Sequence, residues 1–323
     1  MTPAVNPPPR LYTPAFWTAC AIHFTGAMSF GLFILFPLFV RALGGDELTI
    51  GLVLGTGLAV SVGVRPFVGT LLDRLGRRRV LLAGAALNAA SYPLFLLLRS
   101  PGPWLFVLAA LHLVVGGALF AAYFTYAADL VPPARRAEGI AIFGVAGMAP
   151  NGLGPALGEV AIAHTGFPGL FCAATGFALV SLVLTALVPE RPAVHPPDTG
   201  GSSLRETAHT ILRGSLLPVM LATVLFGCGV NAAFYFVAPF TRDLGIARAA
   251  PFFAAYATTT IALRIFGRRV LDRLGAHRVS VPAFALFAAG LAGLAFLPAP
   301  GVLVLTGIAC GAGTKNEFRA AGL

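Results

Sequence analysis

Apolar runs of bilayer-crossing length recur along the chain, separated by short stretches rich in Gly, Pro and Arg. A hydrocarbon layer ~30 Å thick takes ~20 helical residues at ~1.5 Å each. Ten stretches meet or approach that length: 15–40, 49–72, 79–98, 103–128, 139–163, 166–188, 214–240, 245–266, 279–297 and the shorter 301–313. The pattern predicts an all-α integral membrane protein, because only backbones that satisfy their own hydrogen bonds survive in lipid. A polar segment at 189–213, rich in Pro, Gly, Ser and charge, reads as a flexible cytoplasmic linker. It divides the chain into a tail at 1–14, a six-helix bundle at 15–188, a second bundle at 214–313 and a polar tail at 314–323. Six spans before the linker make both halves enter the membrane in the same direction, a parallel-repeat arrangement. The first apolar run is too long for a cleavable signal, so it is expected to stay in the membrane.

Composition agrees with the pattern: 11% of the residues are charged and 57% hydrophobic, too little charge for the surface of a soluble fold of 323 residues. The net charge of +10 could point to a polyanion until the basic residues are sorted by side. With the N-terminus cytoplasmic, sixteen of the 22 Lys and Arg fall on inside segments, Arg41, Arg99, Arg242 and Arg248 fall outside, and Arg65 and Arg264 fall within spans. The excess therefore reports orientation, with both termini cytoplasmic and no nucleic-acid partner. Cys20, Cys172, Cys228 and Cys310 sit singly in apolar spans without metal-ligand spacing, and read as small buried side chains.

An internal repeat ties the halves together. Arg65 to Val80, RPFVGTLLDRLGRRRV, aligns without gaps on Arg264 to Val279, RIFGRRVLDRLGAHRV, at an offset of 199. Asp73, Arg74, Gly76 and Arg79 recur as Asp272, Arg273, Gly275 and Arg278, each copy following the second span of its half. The first copy makes a short basic turn, with Gly76 free of Cβ strain and Arg77, Arg78 and Arg79 held at the inner surface. Asp73 is placed to pair with neighbouring arginines or to face the positive end of another helix.

With Gly69, Asp73, Arg74, Gly76 and Arg77 to Arg79 in this order, the chain resembles the major facilitator superfamily, whose signature lies between helices 2 and 3. The resemblance implies the major facilitator fold: two parallel six-helix repeats that rock against each other around a central site. Here the second repeat is expected to be incomplete, with about ten transmembrane helices instead of twelve, as a truncated chain would have. The resemblance further implies that Asp73 would face a later helix lying beyond the end of this chain.

Span five holds a stripe of small residues. At 100° per residue, Gly144, Gly147, Asn151, Gly154 and Gly158 share an arc of about 80°, which lets another helix approach closely. Pro155 weakens the local backbone ladder and predicts a kink. The stretch is similar to the glycine- and proline-rich helix-5 motif of drug:proton antiporters in the superfamily. Glu159 stands where that motif often has Gly, and reads either as a proton-binding group or as a side chain reaching the membrane rim. The exit of span four, with Asp129, Pro132, Arg135, Arg136 and Glu138, is similar to the drug- and sugar-efflux branch. Ala110 occupies the place where such antiporters carry a helix-4 Arg, which weakens the implied proton coupling.

Candidate proton- or substrate-handling groups are the polar interruptions of the spans: His23, His112, Glu159, Asn231, Tyr123, Tyr126 and Tyr235. Each has a plainer reading as a hydrogen-bonded packing residue. No phosphate-binding loop is present, since GIACGAGTK at 307–315 has its Gly, Thr and Lys in the wrong order. Paired catalytic carboxylates, metal spacings and nucleophile motifs are likewise missing, so the chain reads as no enzyme and as needing no cofactor. The expectation is a secondary transporter with lipid and a small solute as partners. It would exchange protons for a hydrophobic drug-like or sugar-like molecule across a bacterial inner membrane without ATP. The alternatives are an uncoupled facilitator of the same fold and a truncated, non-transporting remnant.

Overall fold

The computed structural model describes residues 11–188, 217–266, 276–296 and 300–313. The linker at 189–213, the turn bearing Asp272, Arg273 and Gly275, residues 1–10 of the first tail and the tail at 314–323 lie outside the described residues, as do the side chains of Asp73 and Arg278. Among the described residues every regular element is helical. They are α1 (Pro14–Phe33), α2 (Phe36–Ala42), α3 (Glu47–Leu75), α4 (Arg77–Phe95), α5 (Pro103–Leu130), α6 (Arg136–Met148), α7 (Pro150–Leu187), α8 (Leu217–Asp243), α9 (Ala250–Phe266), α10 (Ala276–Gly293) and α11 (Pro300–Gly313).

Local chemistry sets the boundaries. Thr13 caps α1 by accepting the Phe16 amide at 3.2 Å, and Pro14 supplies a first helical residue whose missing N–H would have had no partner. The expected first span, 15–40, breaks at Ile34 and Leu35 before Pro37 restarts the chain as α2. Asp46 caps α3, accepting the Thr49 amide at 2.8 Å and its hydroxyl at 2.6 Å, and these bonds hold its carboxyl below the ordinary carboxylate range. Gly76 turns the chain from α3 into α4 with φ 84°, a conformation open to Gly.

The fifth span is interrupted at Ala149, just before Pro150, which has no N–H to donate back, while Pro155 lies inside the helix that follows. Spans five and six meet at Gly166, where φ is 69° and the backbone leaves the helical region, so α7 comprises two helices joined there.

Within the first half α1 packs along α7, α3 along α5, and α4 between α5 and α7; in the second half α9 and α10 both pack on α11. The halves meet where α9 lies against α6 and α7 and where α2 touches α8. One core is aromatic: Phe33 stacks on Phe36 at 4.4 Å, Phe95 on Phe171 at 5.5 Å, and Phe39 meets Phe171 edge-on at 5.0 Å. Large apolar side chains also point outward, including Phe67 at 72% and Trp104 at 71% exposure, as a surface facing hydrocarbon requires. Among the described residues five helical runs are long and apolar enough to cross a bilayer, and three further apolar helices are shorter. Cys20 and Cys310 are buried as expected, but Cys172 and Cys228 are exposed, since they fall on outward faces.

Candidate functional site

The small-residue stripe of span five serves two neighbours. A Cβ on Gly154 would lie 2.4 Å from the backbone of Gly31 in α1, and one on Gly31 would lie 2.4 Å from the Pro150 carbonyl oxygen. Gly147 leaves room for the His23 ring, and Gly158 for Leu35 and Leu170. On the other side, Gly152 receives Ala257 and the Phe253 carbonyl of α9, and Gly144 receives the guanidinium of Arg264. Arg264 Nη1 reaches the sulfur of Met148 at 3.4 Å, so this arginine bridges the halves. Asn151 is half-buried on the same helix.

A buried polar cluster sits inside the first half. Asn88 donates to Ser29 Oγ at 2.9 Å, Ser29 donates to the Gly26 carbonyl at 2.6 Å, and Ser91 donates to the Asn88 carbonyl at 2.7 Å. Ser91 Oγ also lies 3.0 Å from His112 Nδ1. The His112 ring is closed in by Phe33 at 4.0 Å, Phe30 at 4.9 Å and Tyr92 at 5.0 Å, which makes it a core histidine and not a cavity-lining one. Asn88 Oδ1, Tyr92 OH and His112 Nε2 have no partner among the described residues, the kind of site that ordered water fills. Sequence reasoning missed Ser29, Asn88 and Ser91; their signal is polar residues buried on facing helices, which a linear pattern does not show.

The other candidates stay apart. His23 lies against Phe143, its Nδ1 3.2 Å from that residue's carbonyl and the rings 4.4 Å apart. Tyr123 OH is 3.3 Å from Ser181 Oγ, and Tyr126 is buried. In the second half Asn231 donates to Gly227 of its own helix at 2.8 Å, and Tyr235 is half-buried on the same helix. His23, Tyr123 and Tyr126 thus belong to the packing of the first half, because α6 and α7 cover them.

Charged residues cluster at both ends of the bundle. At the basic turn, Arg77 Nε pairs with Asp129 Oδ2 at 2.6 Å, and Arg78 donates to the carbonyls of Val188 at 2.7 Å and Ala186 at 2.8 Å. Arg78 thereby closes the C-terminal end of α7, where carbonyls lack helical partners. Arg74 and Arg79 are exposed, and a Cβ on Gly69 would meet nothing. At the opposite end, Arg41 spans the halves: it bonds to Asp243 at 2.5 Å and 2.8 Å, to the Pro239 carbonyl at 3.4 Å, and also to Glu47. These residues line a shallow recess of about 270 Å³. Glu159 accepts the amides of Ala249 at 2.6 Å and Ala250 at 3.2 Å, across the halves.

Apolar helices in two halves, joined along a glycine-lined seam and pinned by charges at their ends, define a helical integral membrane protein. Residues 18–315 match the Major Facilitator Superfamily. The chain belongs to that superfamily of transporters. It is similar to the Multidrug resistance protein MdtH of Cronobacter sakazakii, with 35% identity over 94 residues, which are 28% of this chain and 23% of that protein. The MdtH of Yersinia pestis matches at the same identity and extent. Among solved structures, the nucleoside transporter NupG superposes with a TM-score of 0.76 at 13% identity, over 95% of this chain and 81% of that one. A bacterial homolog of the human lysosomal transporter Spinster superposes with a TM-score of 0.72 at 15% identity, over 95% and 74% of the two chains. Likeness at this identity bears on the fold alone.

Proposed function

We propose that the chain is a secondary active transporter of the bacterial inner membrane that exchanges protons for a small hydrophobic, drug-like or sugar-like solute. In this reading ten crossings, six before the linker and four after it, place both termini in the cytoplasm. The ion gradient, without ATP or cofactor, drives the cycle. The observation that carries the reading is the seam: α6 and α7 meet α9 through Gly144 and Gly152, and hydrogen bonds bridge the halves at separate points along it. Two bodies in contact through small residues and a few polar bonds can rock by exchanging those bonds, which alternating access requires. The match to multidrug resistance proteins supports efflux of a drug-like solute. Inverted membrane vesicles energised with a proton gradient are expected to accumulate a lipophilic cationic dye, and an uncoupler to abolish the accumulation.

A specific observation favours a second reading, an uncoupled facilitator. His112 is closed inside the first half, and Ala110, two residues earlier on α5, supplies no charge. Dye uptake that stops at equal concentrations on both sides and is unchanged by the uncoupler selects this reading.

A further inference from the structure

We propose that Glu159 is a positioning residue of the transport cycle: its carboxylate caps the first turn of α9 and holds the two halves together at the end opposite the basic turn. The inference rests on reading the chain as an alternating-access transporter, in which this end must open and close.

The argument begins with what α9 lacks. A helix start leaves amides without partners, and Ser, Thr, Asp or Asn ordinarily supplies an acceptor there. The residues entering α9 are Ile246, Ala247, Arg248 and Ala249, none with such a side chain. Glu159, 90 residues earlier and in the other half, supplies the acceptor instead. Its Oε1 takes the amides of Ala249 at 2.6 Å and Ala250 at 3.2 Å, and its Oε2 lies 3.3 Å from the second. A carboxylate is well matched to this place, since the helix dipole and charge assistance both favour it.

The same connection is held at its other end. Asp243, the last residue of α8, is bonded twice by Arg41 of α2, and Ala249 opens the contact with Glu159. The segment joining α8 to α9 is therefore clamped by the first half on both sides. Arg242, in the last turn of α8, and Arg248, on that segment, add positive charge near the Glu159 carboxylate. Behind it, Gly158 packs directly on Leu35 and Leu170, which fixes the helix from which the carboxylate reaches. Separation of the halves at this end must break these bonds and expose the amides of α9.

The test reads the separation directly. Spin labels are attached at Ser100→Cys and Phe296→Cys, both exposed at this end and outside the clamp, in a chain whose native cysteines are replaced by serine. The parent is expected to give a predominantly short distance. Glu159→Ala is expected to raise the ratio of long to short distances about fivefold, the ratio that loss of one helix cap is worth. Glu159→Gln, which keeps an acceptor oxygen, is expected to restore much of the short population. Glu159→Asp, whose arm is one methylene shorter, is expected to resemble Glu159→Ala. A distribution for Glu159→Ala that matches the parent overturns the proposal. Should that variant fail to insert, Glu159→Asp carries the test, and a parental distribution there overturns the proposal equally. The measurement needs neither solute nor gradient, so it separates two failures. A shifted distance without gradient-driven dye uptake discards the transport reading and keeps the clamp, whereas uptake with unshifted distances discards the clamp.

Discussion

At the scale of single residues, the close approach of α1 to α7 depends on missing side chains. Gly31 and Gly154 face each other so closely that a methyl on either would press into backbone, which cannot rotate away as a side chain can. Gly154→Ala is therefore expected to destabilise the protein by roughly 1–3 kcal/mol, the range for overpacking, read as a fall in thermal unfolding temperature in detergent. Gly69→Ala, in open space on α3, is expected to leave that temperature unchanged or slightly raised, because Ala is the better helix former. His112 permits a sharper statement. Its ring is sealed among aromatics and bonded to Ser91, so His112→Gln, which keeps a polar side chain there, is expected to leave the pH profile of transport unchanged. Loss of the pH dependence in that variant would place the transported proton on the imidazole.

Helices in this chain end on partners from distant elements. Arg78 of α4 caps α7 through two carbonyls, and Arg77 reaches Asp129 near the end of α5, so one basic turn fastens three helices. The Arg77–Asp129 pair is mostly shielded, with 11% and 9% of the two side chains exposed. Removing one partner leaves a shielded charge without its mate. The double replacement Arg77→Ala with Asp129→Ala is expected to cost less stability than the sum of the two single replacements. A double-mutant cycle on thermal stability in detergent is expected to give a coupling of about 0.5–3 kcal/mol, and a coupling near zero would reduce the turn to an orientation signal. The repeat in the sequence singled out this turn. It did not reveal the partners, because Asp129 and Val188 are brought to the turn by helix packing across long stretches of chain.

For the whole molecule, the basic turn and the Glu159 clamp lie at opposite ends, and in the orientation proposed above the turn faces the cytoplasm. Arg74→Cys is expected to react with a membrane-impermeant maleimide only in inverted vesicles, and Ser100→Cys only in intact cells. The reverse pattern would invert the proposed topology and put the clamp at the cytoplasmic end. Contacts between the halves are few compared with those inside the first half, where α1 packs on α7 and α3 on α5. Such a division suits a molecule whose halves move as bodies.

Sequence by itself determined the medium, the rough extent of the spans and the duplicated turn. Those depend on local quantities: how apolar each stretch is, where Gly, Pro and Arg interrupt it, and whether a string recurs. It also marked Glu159 and the glycine face as unusual, since a carboxylate and a bare stripe both stand out in an apolar run. Only the tertiary structure decided that the helix is interrupted just before Pro150, that His112 is enclosed, and that Glu159 caps a helix of the other half. The physical reason is that hydropathy records which residues leave water, while every apolar helix in lipid is equally buried whichever neighbour it has. The choice of neighbour rests on surface shape and on polar partners such as Arg41 and Asp243, 202 residues apart, which meet only once the helices have packed.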